Sequence, residues 1–143
     1  MQLVVLVLAH TFKACGIWPA HWQQEGPDIT FKELFPIVLA IHLWADYFRN
    51  KKLILHCDNQ AVVTIINKQS TRSPPSMHLL RLFVLACLQN NLVCRARHLP
   101  GTQNNIADAL SRGQIHRFRK LAPLADDWPA VIPDTLQQLL QLK

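Results

Sequence analysis

Short apolar runs of the strand kind alternate along this chain with apolar stripes at helical spacing, and that alternation restricts it to a sheet flanked by helices. Leu3–Ala9 is an unbroken Val/Leu run, as a strand buried on both faces requires. Thr11–Trp18 reads as a second strand, and residues 19–28, with Pro, Gly and polar side chains, as irregular. Thr30-Phe31-Lys32-Glu33 has the form of a capping box, with Glu33 in the first turn of a helix. Apolar residues at 34, 37, 38, 41, 44 and 48 carry that helix to Phe48, and Pro36 is expected to remove a hydrogen bond and bend its first turn. Lys52–Cys57 reads as a strand, Gln60–Lys68 as a short helix and Gln69–Pro75 as a polar, basic loop. Ser76–Gln89 is a helix with Leu80, Phe83, Val84, Cys87 and Leu88 on one face. Leu92–Leu99 is a strand in which Arg95 and Arg97 alternate with apolar residues, and Pro100–Gly101 turns the chain into a short helix, Asn104–Ser111. This order implies an α/β domain over residues 1–114, a mixed sheet with flanking helices. Residues 115–143 form a tail, basic at first (HRFRK) and closing with a small amphipathic helix near Asp134–Leu142.

At 143 residues the chain can bury one proper core, and with half its residues hydrophobic and only 17% charged it is globular rather than disordered. Lys and Arg outnumber Asp and Glu by 15 to 9, a formal +6 that suits a polyanionic partner such as nucleic acid, although basic proteins without one are common. The cysteines, Cys15, Cys57, Cys87 and Cys94, include no C-x-x-C pair, and they read as small buried hydrophobes of a reducing compartment rather than as a disulfide frame or zinc site. The seven histidines show no ligand spacing. The opening MQLVVLVLAH is too short, lacks a preceding basic residue and has no small-residue cleavage site, so it reads as a buried strand and not a signal peptide. No run approaches the ~20 residues of a membrane span. The expectation is an intracellular protein, cytoplasmic or nuclear and not secreted.

Within LILHCDNQAVV, residues 53–63, an apolar run stops at a bare carboxylate, Asp58. Ligands of α/β sheets bind outside the carboxyl ends of parallel strands, and Asp58 sits at such an end. Glu33 and Asp108, in NNIADALSR, are the other acids in distinctive places. Mg²⁺ takes a few carboxylate oxygens and keeps waters for its substrate, and two such ions about 4 Å apart support phosphodiester cleavage. Each acid also has an ordinary reading. Glu33 completes the capping box, Asp58 caps the helix that follows, and Asp108 pairs with Arg112 one turn on.

ITFKELFPIVLAIHLW, LILHCDNQAVVTIINK and ARHLPGTQNNIADALSR together resemble the ribonuclease H domain of retroelement polyproteins. The resemblance is closest to DIRS-like elements, spans residues 11–114, and rests most specifically on the pattern H-L-P-G-x-x-N-x-x-A-D-x-L-S-R. It implies a ribonuclease H-like fold and a two-metal endonuclease acting on the RNA strand of RNA–DNA hybrids, using Mg²⁺ or Mn²⁺. A reverse transcriptase upstream and a tyrosine recombinase downstream in the same polyprotein are the implied partners, with no membrane. Four acids hold two ions in that family, and Glu33, Asp58 and Asp108 match the last three. The resemblance makes Asn59 and Gln60 readers of the hybrid's minor groove, where amides can both donate to and accept from 2′-hydroxyls. Lys68, Arg72, Arg95, Arg97 and Arg112 are candidates for phosphate contacts.

The family's first Asp, on its opening strand, has no counterpart: no acid precedes Glu25. The expectation is a first strand truncated or replaced, with nuclease activity weak or absent. PGTQNN also lacks the His that cellular ribonucleases H carry before the last helix, and His98, ahead of the turn, is not given that role. The alternative is a non-catalytic module that binds nucleic acid or packs against a polymerase. A D-D-E transposase is excluded because no Glu follows residue 33. A domesticated protein whose tail binds a partner is the remaining reading.

Overall fold

The computed structural model describes residues 29–100, 105–106, 109, 114–123, 133–134, 136 and 138. Helix α1 (Ile29–Phe48) is its central element. Every residue from 34 to 41 is buried, so α1 is enclosed on all sides there and not along one stripe, as suits a core helix. It starts one residue before Thr30. Thr30 therefore has helical backbone and cannot cap, and no acid lies in the first turn, which corrects the capping-box reading of Glu33. Pro36 is accommodated inside α1, and the break falls at Trp44 (φ −121°, ψ 18°) rather than in the first turn. Two residues earlier, His42 Nδ1 lies 2.9 Å from Val38 O, a side chain inserted into the carbonyl ladder where helices bend.

Strand β1 (Lys52–Cys57) is followed by α2 (Gln60–Lys68), α3 (Pro74–Gln89) and strand β2 (Val93–His98). The strands pair in parallel with Lys52 opposite Val93 and Cys57 opposite His98. The described fold is thus mixed α/β with a two-stranded parallel sheet; the expected strands Leu3–Ala9 and Thr11–Trp18 lie outside the described residues, so the mixed sheet is not seen. The segment α2–α3 is the crossover that a parallel pair requires. Leu53, Leu55, Cys57 and Ala96 turn one face of the pair into the core, where α1 and α3 pack together and α2 lies on β2. Phe35 and Phe83, both fully buried, contribute about 1.5–3 kcal/mol each by leaving water.

Helix α3 begins at Pro74, two residues before the expected Ser76, because Ser73 caps it and prolines at the first two positions need no N–H partner. Its end and that of α1 share a device. Asn50 (φ 62°) and Asn91 (φ 51°) both take the left-handed conformation that stops a helix, and Asn91 Nδ2 donates to Asn50 Oδ1 at 2.9 Å. Asn50 N also donates to Asn90 O, and Val93 N to Lys51 O, so the turns that lead into β1 and β2 are tied together.

The basic start of the tail, to which the sequence assigns no element, is helical, α4 (Ile115–Leu121), with Phe118 buried beside Ala109 and with Ile106 packed against them. Residues 105, 106 and 109 are helical, in line with the expected helix there. Leu136, from the terminal segment, is fully buried in the same core as α1 and α3. That part of the tail is integral to the core.

Candidate functional site

The bend after β1 is built from short local bonds. Cys57 O accepts from Leu99 N at 2.9 Å, which holds the ends of the two strands side by side. Asn59 N donates to Cys57 Sγ at 3.4 Å, and Asn59 Oδ1 accepts from Val62 N at 3.2 Å. Asn59, in extended backbone, is therefore the cap of α2. This decides one of the alternatives for Asp58, which does not cap the helix. Its side chain is exposed at the carboxyl end of β1 and has no hydrogen-bond or ion-pair partner among the described residues.

The same geometry gives Asn59 a structural duty: one lone pair of its oxygen is committed to the cap, which fixes the side chain and leaves its amide N–H groups and the second lone pair for a ligand. Gln60, exposed at the start of α2, donates to Thr64 Oγ1 at 3.4 Å. It stands at the rim of a cleft of about 360 Å³ lined by Thr30, Gln60, Thr64, Thr71, Ser73 and Ser76. Ser76 is fully buried there and its Oγ has no partner. The cleft carries no charge, and its lining mixes hydroxyls and one amide with the apolar side chains of Ala61 and Ile65.

Glu33 is half-buried on α1, with an interaction of its own. Asp108 and Arg112 lie outside the described residues. Among those described, no three His, Cys, Asp or Glu side chains come together as a metal-binding group. Asp58, exposed at a strand end and without a partner among the described residues, offers hard oxygen donors of the kind that Mg²⁺ or Mn²⁺ takes.

The basic candidates separate into two sets. The strand register puts Arg95 beside Ile54 and Arg97 beside His56, on the face opposite Leu55 and Ala96, and both arginines are exposed. Lys68 and Arg72 are exposed on either side of the α2–α3 turn. His98 ends β2 opposite Cys57, next to Asp58 in register. The sequence gives His98 no catalytic role, and the structure adds only its position beside Asp58. His56, the last but one residue of β1, has both ring nitrogens buried without a partner among the described residues.

No family model, curated protein or solved structure matches this chain. No helix among the described residues is long and apolar enough to cross a membrane.

Proposed function

We propose that this chain is a ribonuclease H-like domain of the retroelement type, which holds an RNA–DNA hybrid and cleaves its RNA strand weakly or not at all. The observation that carries the proposal is Asp58: a carboxylate at the carboxyl end of a parallel strand, without a partner among the described residues and freed from capping by Asn59. A strand-end acid with no structural duty is what metal-assisted phosphodiester chemistry requires. Three further features support hybrid binding. Gln60, an exposed amide at the start of α2, can donate to and accept from the 2′-hydroxyl edge of a wide minor groove. Arg95 and Arg97 form an exposed cationic pair on β2. The chain as a whole carries a formal +6.

Weak turnover is what the acids within these 143 residues, taken by themselves, would support. These 143 residues supply Glu33, Asp58 and Asp108 but no acid before Glu25. Two-metal hydrolysis draws on several carboxylates from separate elements, and three acids would hold a second ion poorly. On this reading the residues that would hold Mg²⁺ or Mn²⁺ are Glu33, Asp58 and Asp108, and the ions would activate water and stabilise the leaving oxygen. A binding module that packs against a reverse transcriptase is the same reading with turnover at zero.

An end-labelled RNA–DNA hybrid is the test, with binding and cleavage followed in Mg²⁺ and in Mn²⁺ beside Asp58→Asn. The expected result is salt-sensitive binding with little or no cleavage. A chain that is folded but does not bind the hybrid would sink the proposal. Rapid cleavage abolished in Asp58→Asn would keep the family and overturn the impaired activity.

A further inference from the structure

Cys87 and Cys94 read in sequence as unrelated buried thiols, yet their sulfurs lie 3.7 Å apart. Cys87 is in the last turn of α3 and Cys94 is the second residue of β2. The connection between them is tightly bonded. Asn90 N and Nδ2 both donate to Ala86 O, and Leu92 N donates to Cys87 O at 2.8 Å. With Asn91 fixed in its left-handed turn, the backbone itself sets the two side chains face to face.

Both sulfurs line one cleft of about 270 Å³, whose polar wall includes Asn67, Gln69 and Arg95. Cys94 is half-buried, so small solutes reach the pair from its side. The hydrogen bond between the two sulfurs holds the Cys87 thiol below its ordinary range against burial, which raises it. That same bond, then burial and the charge on Cys87, push Cys94 up. A dithiol of this kind reacts through one thiol as the attacking thiolate while the other stays protonated and resolves the mixed disulfide, and the direction of the two shifts gives the first role to Cys87. Cys57, the other described buried cysteine, is occupied instead with the backbone of Asn59.

We infer that Cys87 and Cys94 form an oxidisable dithiol, a modification site that small-molecule disulfides convert to an intramolecular disulfide joining α3 to β2. The Cys87 thiolate attacks one sulfur of the small disulfide, forming a mixed disulfide and expelling one thiolate, which takes up the proton that Cys87 released. Cys94 then attacks Cys87 Sγ, and its proton goes to the second departing thiolate. Two protein thiols are oxidised, and the small disulfide is reduced to two thiols. The product clamps the end of α3 onto the first residues of β2, beside Asn67. The dithiol does not depend on any nucleic-acid role of the chain.

The test equilibrates the full chain in buffers of oxidised and reduced glutathione, traps free thiols by alkylation and digests with trypsin. Both cysteines fall in one peptide, residues 82–95, between Arg81 and Arg95. The expected product is that peptide unalkylated and lighter by two hydrogen atoms, with Cys57 still alkylated. Its equilibrium constant in the folded chain should exceed that of the urea-unfolded chain by about tenfold or more, since only the fold aligns the sulfurs. Cys94→Ala, confirmed as folded by circular dichroism, should stop at a glutathione adduct on Cys87. Equal constants for folded and unfolded chain, a persistent adduct in the native sequence, or linkage to Cys57 or between chains would each overturn the inference.

Discussion

Asn67 grips the backbone of Ala96 with both ends of its amide. Nδ2 donates to Ala96 O at 2.8 Å, and Oδ1 accepts from Ala96 N at 2.8 Å. A residue at the end of α2 thereby stands in for a neighbouring strand. It satisfies groups of β2 that β1 does not reach, and Ala96 itself is buried. Asn67→Leu keeps the size of the side chain and leaves both backbone groups unpaired. The expected loss is about 2–4 kcal/mol, from one buried donor and one acceptor at ~1–3 kcal/mol each with partial relief by water. Thermal unfolding should show it as a fall of several degrees, whereas a change within about 0.5 kcal/mol would mean that water replaces the amide without cost.

The division of labour between Asp58 and Asn59 gives a second prediction. Asn59→Ala removes the bond to Val62 N and should lower stability by about 1 kcal/mol in urea unfolding. Asp58→Asn removes an exposed carboxylate without a partner among the described residues, and should change stability by less than about 0.5 kcal/mol. A cost above that for Asp58→Asn would show that the fold uses the acid, and would remove the basis for reading it as a ligand.

Why some of this is legible in sequence and some is not follows from the range of the interactions. Lys52–Cys57 and Gln60–Lys68 are legible to the residue, because period and turn chemistry are local signals there. The acid at the end of β1 is visible for the same reason. Its partnerless state is not, because Asp and Asn are both good caps and only backbone geometry separates Asp58 from Asn59. The start of α1 is misplaced from sequence because Thr30 and Glu33 fit a capping box that the backbone, helical from Ile29, does not use. Burial of Leu136 with α1, the Asn67–Ala96 clamp and the Cys87–Cys94 contact depend on tertiary packing, which no sequence period announces. Helix α4 escapes notice because only Phe118 of its seven residues is buried, too little for an apolar stripe to register.

The left-handed turn at Asn91 separates backbone strain from side-chain bonding. Asn91→Ala loses the bond to Asn50 and puts a Cβ-bearing residue without local polar compensation at φ 51°, for an expected cost of about 1–2 kcal/mol. Asn91→Gly loses the same bond but relieves the steric conflict, and should stay within about 0.5 kcal/mol of the native chain. If the two variants are equally destabilised in urea, the Asn50–Asn91 bond and not the backbone conformation is what matters.

Leu136 tests whether the terminal segment is part of the domain. Leu136→Ala should cost about 2–5 kcal/mol, the range for a fully buried leucine whose site collapses only in part. A separate tail predicts almost no change. Hydrogen exchange distinguishes the two directly, because a loss that propagates to amides of α1 and α3 follows only from a shared core.

The two arginines of β2 supply the sharpest prediction for nucleic-acid binding. Each phosphate contact adds close to one unit to the slope of log affinity against log salt. Arg95→Gln and Arg97→Gln should each weaken hybrid binding and reduce that slope by about one, with little dependence on base sequence. Both side chains are exposed on one strand face, so neither change should lower stability by more than about 0.5 kcal/mol. Arg49→Gln is the control: Arg49 is bonded to Asp46 at 2.7 Å at the end of α1, and its loss removes a charge already neutralised locally. The three variants carry the same change in formal charge. Equal slopes for all three would therefore mean that the chain attracts the hybrid through net charge alone. A slope reduced only in the β2 variants would locate the phosphate backbone along the strand that ends beside Asp58.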